Sequence, residues 1–293
     1  MNEQHNEDQR ATDRSDRVWT YQEITLFVDQ AEEALSDIGI RFHPNSTLGV
    51  LFKQTRALST NWETNRTDDG GLKRLIDANH ANRIAQAIVA VKGDPNARNC
   101  LLRVAKNNMD LSEREISQGK DALWEIELLA NLRRHDINAA LIDPPDIVAN
   151  FGFGDYSIAC KKVYSHNSVE NQVRRACQQI ESSRRPGMVA INLDDLAPAQ
   201  VFLTMKNVSS AMNLLAQFIK EFIDQHRQKL EKFLERSRCD GVFFSISVPV
   251  DIEQAAPRFN NVVQMLVWSV ESATPQTKRR LAEVREKFSD IEF

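Results

Sequence analysis

The spacing of apolar residues changes near residue 138, and this change limits the fold more than any other feature of the chain. Upstream of it, apolar residues recur every three or four positions, as they do in helices. Downstream, residues 138–142, 146–151 and 156–163 have the short apolar patterns of strands. The turn-forming residues 152–155, with two glycines, separate the last two segments and predict a hairpin. A helical first part is therefore followed by a part that contains a sheet.

Strand and helix patterns continue to alternate after this hairpin. Helices are predicted from Asn167, as a cap, over residues 209–236, and from near Pro275. Further strands are predicted over residues 187–193, 242–248 and 262–270. Such alternation predicts an α/β fold in which a mixed sheet is flanked by helices.

The first part of the chain is predicted to be helical after a disordered tail, since residues 1–16 contain almost nothing that could be buried. Thr20 and Glu23 have the spacing of a capping box, and the apolar stripe that follows them ends at Gly39. Further helices are predicted around residues 47–62 and 81–91. The predicted organisation is the tail 1–16, an N-terminal helical unit 17–110 and an α/β domain 111–293.

Composition excludes several classes of protein. The 293 residues carry a net charge of −4, so attraction to nucleic acid would have to come from a local basic surface. No apolar run reaches the ~20 residues of a membrane span and the N-terminus is polar, which predicts a cytoplasmic protein without membrane contact. The four cysteines lack C-x-x-C spacing, so neither a zinc site nor disulfides are predicted.

A helix predicted over residues 112–134 places one carboxylate on an apolar face. Ser112 and Glu115 have the spacing of a capping box at its start. Glu125 has apolar neighbours three and four residues away, so it faces the core, where an unpaired carboxylate is costly and indicates a partner or a metal. Glu127 has polar neighbours at i+4 and i+7, so solvent exposure or an ion pair is expected for it.

The predicted hairpin brings an acid beside a lysine. Ala159 and Lys161 are two residues apart on its second strand and therefore share one face. Asp146, which follows Pro145 at the start of the partner strand, is expected near Lys161. Phosphodiester hydrolysis uses carboxylates to hold a divalent cation and a positive group to orient water or neutralise developing charge. Asp146 and Lys161 suit these two roles, and Glu125 could supply a further carboxylate.

The order of these parts resembles the PD-(D/E)xK, restriction-endonuclease-like nuclease superfamily over residues 118–195. In that superfamily a helix with a glutamate leads into a hairpin that bears a Pro-Asp pair and an acid-x-lysine triplet. The matching parts here are Glu125, Pro145-Asp146, Ala159-Cys160-Lys161 and, for a glutamine that often lies in the next helix, Gln179. The resemblance implies a restriction-endonuclease-like mixed sheet, Mg²⁺ or Mn²⁺ bound by Asp146 and Glu125, and metal-dependent cleavage of DNA, as in a restriction or phage-defence effector.

The triplet departs from the family at Ala159, because alanine cannot bind a cation. Three explanations are open: an engineered inactivating substitution, a naturally degenerate member, or a site in which Glu125 and another acid compensate. We favour the first, because Asp146, Lys161 and Lys162 keep the rest of the pattern. The alternative to a nuclease is a catalytically inactive scaffold that binds nucleic acid or a protein partner.

Basic residues near the triplet could hold a nucleic-acid backbone, and Lys162, Arg174 and Arg175 are the candidates. The same residues could instead form a solvated face with local ion pairs. Paired cuts on two strands call for two active sites, so a homodimer is compatible with a nuclease. The N-terminal helices could bind a partner protein.

Overall fold

The first part of the described chain is helical, as predicted. The structure, a computed structural model, describes residues 19–65, 71–197, 203–254 and 259–289, so the predicted tail 1–16 lies outside the described residues. The helices here are α1 (Tyr21–Asp37), α2 (Thr47–Asn65), α3 (Gly71–Ala90) and α4 (Arg98–Lys106). The capping box of α1 is confirmed, since the Thr20 hydroxyl accepts a hydrogen bond from the Glu23 N–H and the Glu23 carboxylate accepts one from the Thr20 N–H. Helix α3 begins earlier than predicted, and α4 was not predicted.

Helix α5 (Gln118–Arg134) does not begin at Ser112, so that prediction was wrong. Its N-cap is Ser117, whose hydroxyl oxygen accepts a hydrogen bond from the N–H of Gly119 at 3.1 Å. Helix α5 packs closely against the preceding chain at Gly119, because a Cβ atom there would lie 2.7 Å from the sulfur of Met109 and 3.1 Å from the backbone oxygen of Arg103. The glycine that weakens the helical pattern in the sequence is thus a packing requirement.

Seven strands among the described residues form one mixed sheet. They are β1 (Asn138–Ile142), β2 (Asp146–Asn150), β3 (Asp155–Lys162), β4 (Gly187–Asn192), β5 (Leu203–Met205), β6 (Cys239–Ile252) and β7 (Phe259–Trp268). The order is β1-β2-β3-β4-β6-β5, and β7 also pairs with β6. The predicted hairpin of β2 and β3 is confirmed, and β3, β4 and β6 run parallel. Their carboxyl ends therefore meet at one edge, where open α/β sheets usually bind ligands.

Three further helices flank the sheet: α6 (Val169–Ser183), α7 (Val208–Leu234) and α8 (Pro275–Ser289). Helix α6 begins at Val169 and not at the predicted cap Asn167, because a 3-10 turn over His166–Ser168 precedes it. None of the described helices is long and apolar enough to cross a membrane. The α/β architecture with a mixed, helix-flanked sheet and an N-terminal helical region is confirmed.

Alternation along β3 separates two apolar clusters on the two faces of the sheet. Ile158 and Cys160 belong to the cluster that also contains buried residues of α1 to α5. Ala159 and Val163 belong to the cluster beneath α6 and α7. A strand with period two thus presents consecutive residues to different surroundings, so the two faces of β3 pack against different parts of the molecule.

Candidate functional site

The sequence-predicted meeting of Asp146 and Lys161 is confirmed. Asp146 opens β2, next to the paired residues Ile147 and Ile158. One of its carboxylate oxygens, Oδ2, accepts a hydrogen bond from the backbone N–H of Cys160 at 2.7 Å and lies 3.2 Å from Nζ of Lys161. The two side chains are largely buried, with 11% and 14% of their surfaces exposed. An ion pair is therefore fixed at the point where β2 begins.

The backbone of Asp146 is strained. Its φ angle is 148°, a value that side-chain-bearing residues rarely adopt. Strained residues of this kind persist only where the surrounding structure holds them, and they concentrate at functional sites. The hydrogen bond from Cys160 and the ion pair with Lys161 are two of the contacts that hold Asp146 in place.

Ala159 lies on the same side of β3 as Lys161, as the alternation predicted, but its surroundings are apolar. Its exposed fraction is 0%, and it packs in the cluster beneath α6 and α7. In the parallel ladder it is paired with Val189 of β4. A methyl group suits this position, whereas a longer acidic side chain would have to reach from there toward Asp146 and Lys161.

Glu125 has the partner that its place on the apolar face of α5 led us to expect. Its Oε2 atom lies 2.5 Å from a guanidinium nitrogen of Arg103 and accepts a hydrogen bond from the thiol of Cys100 at 3.1 Å. The Glu125 side chain is 12% exposed. Glu127, for which exposure or an ion pair was expected, is paired with Arg83. The other oxygen of Glu125, Oε1, has no hydrogen-bond partner among the described residues.

Gln179 of α6 also contacts Asp146, from the face of β3 opposite to the one covered by α5. Its amide nitrogen lies 3.5 Å from Oδ1 of Asp146, a contact at the limit of a hydrogen bond. Its amide oxygen is buried and has no hydrogen-bond partner among the described residues. Buried polar atoms are nearly always paired, so this oxygen is an acceptor that a bound group could satisfy.

Burial dominates the electrostatics of Asp146. It raises the pKa of the Asp146 carboxyl to about 6, Lys161 opposes this rise, and the nearby charge of Glu125 adds to it. Burial also holds the pKa of the Cys160 thiol well above its ordinary value, so that side chain is neutral. A negative charge near a buried carboxyl group disfavours its ionised form, and a bound cation would offset that effect.

The oxygens near Asp146 fit a hard divalent cation in part. Asp146 Oδ1, Glu125 Oε1 and Gln179 Oε1 have no strong hydrogen bond, and Mg²⁺ prefers such oxygen ligands together with several waters. Within the described residues, however, no group of three or more His, Cys, Asp and Glu side chains is arranged to hold a metal. With Ala159 in place, the site has two carboxylates where the family resemblance implies three.

The basic residues that were predicted to contact nucleic acid lie in different surroundings. Arg174 and Arg175 are exposed on α6, and Arg174 donates a hydrogen bond to Asn171 at 2.8 Å. Lys162 is buried on the opposite side of β3 from Lys161, and its ammonium lies 2.6 Å from a carboxylate oxygen of Asp195. The position of Lys162 does not suit contact with an extended backbone, because its charge is already paired in the interior.

A cavity that the sequence did not predict lies beside Lys162. Its volume is about 430 Å³, and its charged lining includes Arg83, Lys120, Asp194 and Asp195. These residues are far apart in the sequence and no motif joins them, so the cavity could be identified only from the fold.

Comparison of the chain with protein-family models, with curated proteins and with solved structures found no match.

Proposed function

We propose that this chain is built on a metal-dependent nuclease site of the PD-(D/E)xK type, on a restriction-endonuclease-like α/β domain, with Ala159 at the position of one acidic ligand. The observation that carries the proposal is the convergence of Asp146, Lys161 and Gln179 where β2 begins, with the charge of Glu125 close enough to affect Asp146. Metal-assisted phosphodiester hydrolysis uses carboxylates to hold the cation and a positive group to stabilise developing charge, and Asp146 and Lys161 would fill these two roles.

Each residue has a role in this proposal. Asp146 and Glu125 would hold Mg²⁺ or Mn²⁺, which stabilises the charge that develops on the phosphate. Lys161 would orient the attacking water or neutralise charge, and its contact with Asp146 keeps its ammonium at the site. Gln179 would position Asp146 through its amide. DNA as substrate and a role in phage defence rest on the family resemblance alone.

A second candidate function is a catalytically inactive module that keeps the scaffold and binds nucleic acid or a protein. The burial of Ala159 in an apolar cluster favours it, since the strand and α6 pack well around a methyl group. The exposed Arg174 and Arg175 on α6 would then supply contacts to a phosphate backbone.

Plasmid cleavage with Mg²⁺ or Mn²⁺ tests the first candidate. We expect the Ala159→Glu variant to cut and the uncharged Ala159→Gln variant to remain inactive. In the Ala159→Glu background, Asp146→Asn or Lys161→Ala should each lower the rate by about 100-fold or more, because each removes a charge that acts on the transition state. Cleavage that survives both changes would overturn the assignment. If neither the chain nor Ala159→Glu cuts, metal-independent binding of labelled duplex DNA would support the second candidate.

A further inference from the structure

The cavity beside Lys162 lies at the carboxyl ends of two parallel strands, β3 and β4, and beside the neighbouring part of β6. Lys162 ends β3, Asn192 ends β4, and Ser247 lies in β6, and all three line the cavity. Helices α3 and α5 form the facing wall through Arg83 and Lys120. This edge of an open sheet is the usual place for a small ligand, and about 430 Å³ is the size of a pocket for one.

The carboxylates that line the cavity already have cationic partners. Arg83 is paired with Glu127 and lies 2.9 Å from Asp194. Lys162 is paired with Asp195 at 2.6 Å. Two cations, Arg83 and Lys162, therefore serve three carboxylates at the floor of the cavity, and each carboxylate lies beside at least one of these cations.

Two cations that line the cavity, in contrast, have no carboxylate partner among the described residues: Lys120 and Arg114. Lys120 is 1% exposed, and its ammonium donates hydrogen bonds to the backbone oxygens of Glu113 and Glu115. Burial lowers its pKa, Asp195 opposes this effect, and the like charge of Lys162 adds to it. A buried ammonium close to a second one is a position that an anion stabilises.

The rest of the lining supports an anion with an apolar part. Burial and the charge of Arg83 lower the pKa of His80 to about 4, so its ring is neutral at neutral pH and can exchange hydrogen bonds without adding charge. The apolar side chains of Ile76, Leu111 and Leu123 also line the cavity. A ligand with a planar or aliphatic group on one side and an anionic group on the other would match both kinds of wall.

We propose that this cavity binds a phosphate monoester of a small molecule, with the phosphate between Lys120 and Arg114 and the remainder against the apolar wall. A phosphate monoester carries nearly two negative charges at neutral pH, which matches two unpaired cations, whereas a carboxylate carries one. Nucleotides and sugar phosphates share this chemistry. The ligand site is separate from the site of Asp146, because Lys161 and Lys162 point to opposite faces of β3.

Calorimetric titration of the whole chain in EDTA with AMP, UMP, glucose 6-phosphate and adenosine tests the proposal. We expect the phosphate-bearing probes to bind and adenosine to bind at least about 10-fold more weakly. Binding of all three phosphates would indicate recognition of the phosphate alone, and binding of AMP and UMP only would add a requirement for the base. Equal binding of adenosine and AMP, or no binding of any phosphate at about 1 mM, would overturn it.

Variants locate the binding. Arg114→Gln, at an exposed position where folding is not at risk, should weaken AMP binding by about 5-fold, and the buried Lys120→Gln by about 10-fold or more. The matched control Arg236→Gln removes an exposed cation outside the cavity and should leave binding unchanged. Asp146→Asn should also bind AMP normally, so failure of this proposal and failure of the nuclease proposal are separable. Unchanged AMP binding in Arg114→Gln would overturn the assignment to this cavity.

Discussion

Two neighbouring lysines on β3, Lys161 and Lys162, lie on opposite faces of the strand and have different charged neighbours. Lys161 meets Asp146 on one face of the strand, the face that also carries Ala159, and the amide oxygen of Gln179 there has no partner among the described residues. Lys162 enters a cavity on the other face, where the carboxylates are paired and two further cations are left over. Under the two proposals, the first site would bind a cation and the second an anion.

Under the two proposals, the end of one strand would contribute to two ligand sites. Period-two alternation sends consecutive side chains into separate surroundings, so each can be tuned without the other. Helix α5 contributes to both, since Glu125 belongs to the site of Asp146 while Lys120 lines the cavity. Changes that add or remove one charge should therefore act on one site and leave the other unchanged.

The largest effect is expected from an acid at position 159. Ala159→Glu places a carboxylate in an apolar cluster, and without metal this should lower the free energy of unfolding by about 4 kcal/mol. Mg²⁺ or Mn²⁺ should restore much of the loss, because a cation that binds only the folded state stabilises it. Chemical denaturation in EDTA and in Mg²⁺ measures both quantities.

Ala159→Gln is the matched control, since it adds the same volume without a charge. It should be destabilised by packing in both conditions, with no recovery in Mg²⁺. Equal recovery of the two variants would show that position 159 does not face a cation site, and the comparison between the two faces of β3 would fail there.

A smaller loss of stability is expected when the ion-pair partner of Glu125 is removed. Arg103→Met leaves a largely buried carboxylate uncompensated and should lower the free energy of unfolding by about 3 kcal/mol. Adding Glu125→Gln to this variant should recover part of the loss, because it removes the uncompensated charge. Additive losses in denaturation experiments would mean that the two side chains do not interact in solution.

The smallest expected effect is a pH-dependent change in the free energy of unfolding, which His80 in the cavity wall causes. Because the pKa of His80 is lowered to about 4 in the folded chain, the unfolded chain binds the proton more strongly between that value and the ordinary value near 6.5. The stability that neutral His80 allows is therefore complete above about pH 6.5 and is lost as the pH falls toward 4. His80→Gln should remove about 2 kcal/mol of this loss near pH 5.

Denaturation of the chain and of His80→Gln at about pH 8 and about pH 5 checks this expectation. The difference between the two proteins should change with pH by the stated amount, in favour of His80→Gln at the lower pH. A difference that is the same at both pH values would show that His80 is not held in its neutral form by the cavity wall.

Much of the fold could be predicted because local signals agree with it. The capping box of Thr20 and Glu23 and the turn between β2 and β3 each act within a few residues. The false start of α5 at Ser112 had the same spacing, but Ser117 caps the helix instead. Spacing alone cannot separate these cases, because the same Ser-x-x-Glu spacing at Ser112 lies in a turn that precedes the helix. Strand β5 has three residues, too few for a pattern.

The meeting of Asp146 and Lys161 could be predicted because hairpin register and alternation along the strands bring these two residues together. The ion-pair partner of Glu125 could not be predicted, since Arg103 lies on α4, a helix that was not predicted from the sequence. The cavity was missed for the same reason: Arg83, Lys120 and Asp194 come from three distant segments. Contacts between distant segments depend on how helices pack on the sheet, which spacing within one segment does not determine.

Binding of Mn²⁺, followed by electron paramagnetic resonance, tests the central claim most directly: the site of Asp146 is a metal centre that lacks one acid. The proteins to compare are the chain itself, Ala159→Glu, Ala159→Gln and the double variant with Ala159→Glu and Asp146→Asn. We predict that Ala159→Glu binds Mn²⁺ at least about 10-fold more tightly than the chain and Ala159→Gln, and that Asp146→Asn removes the gain. Equal affinity in all four proteins would contradict the claim.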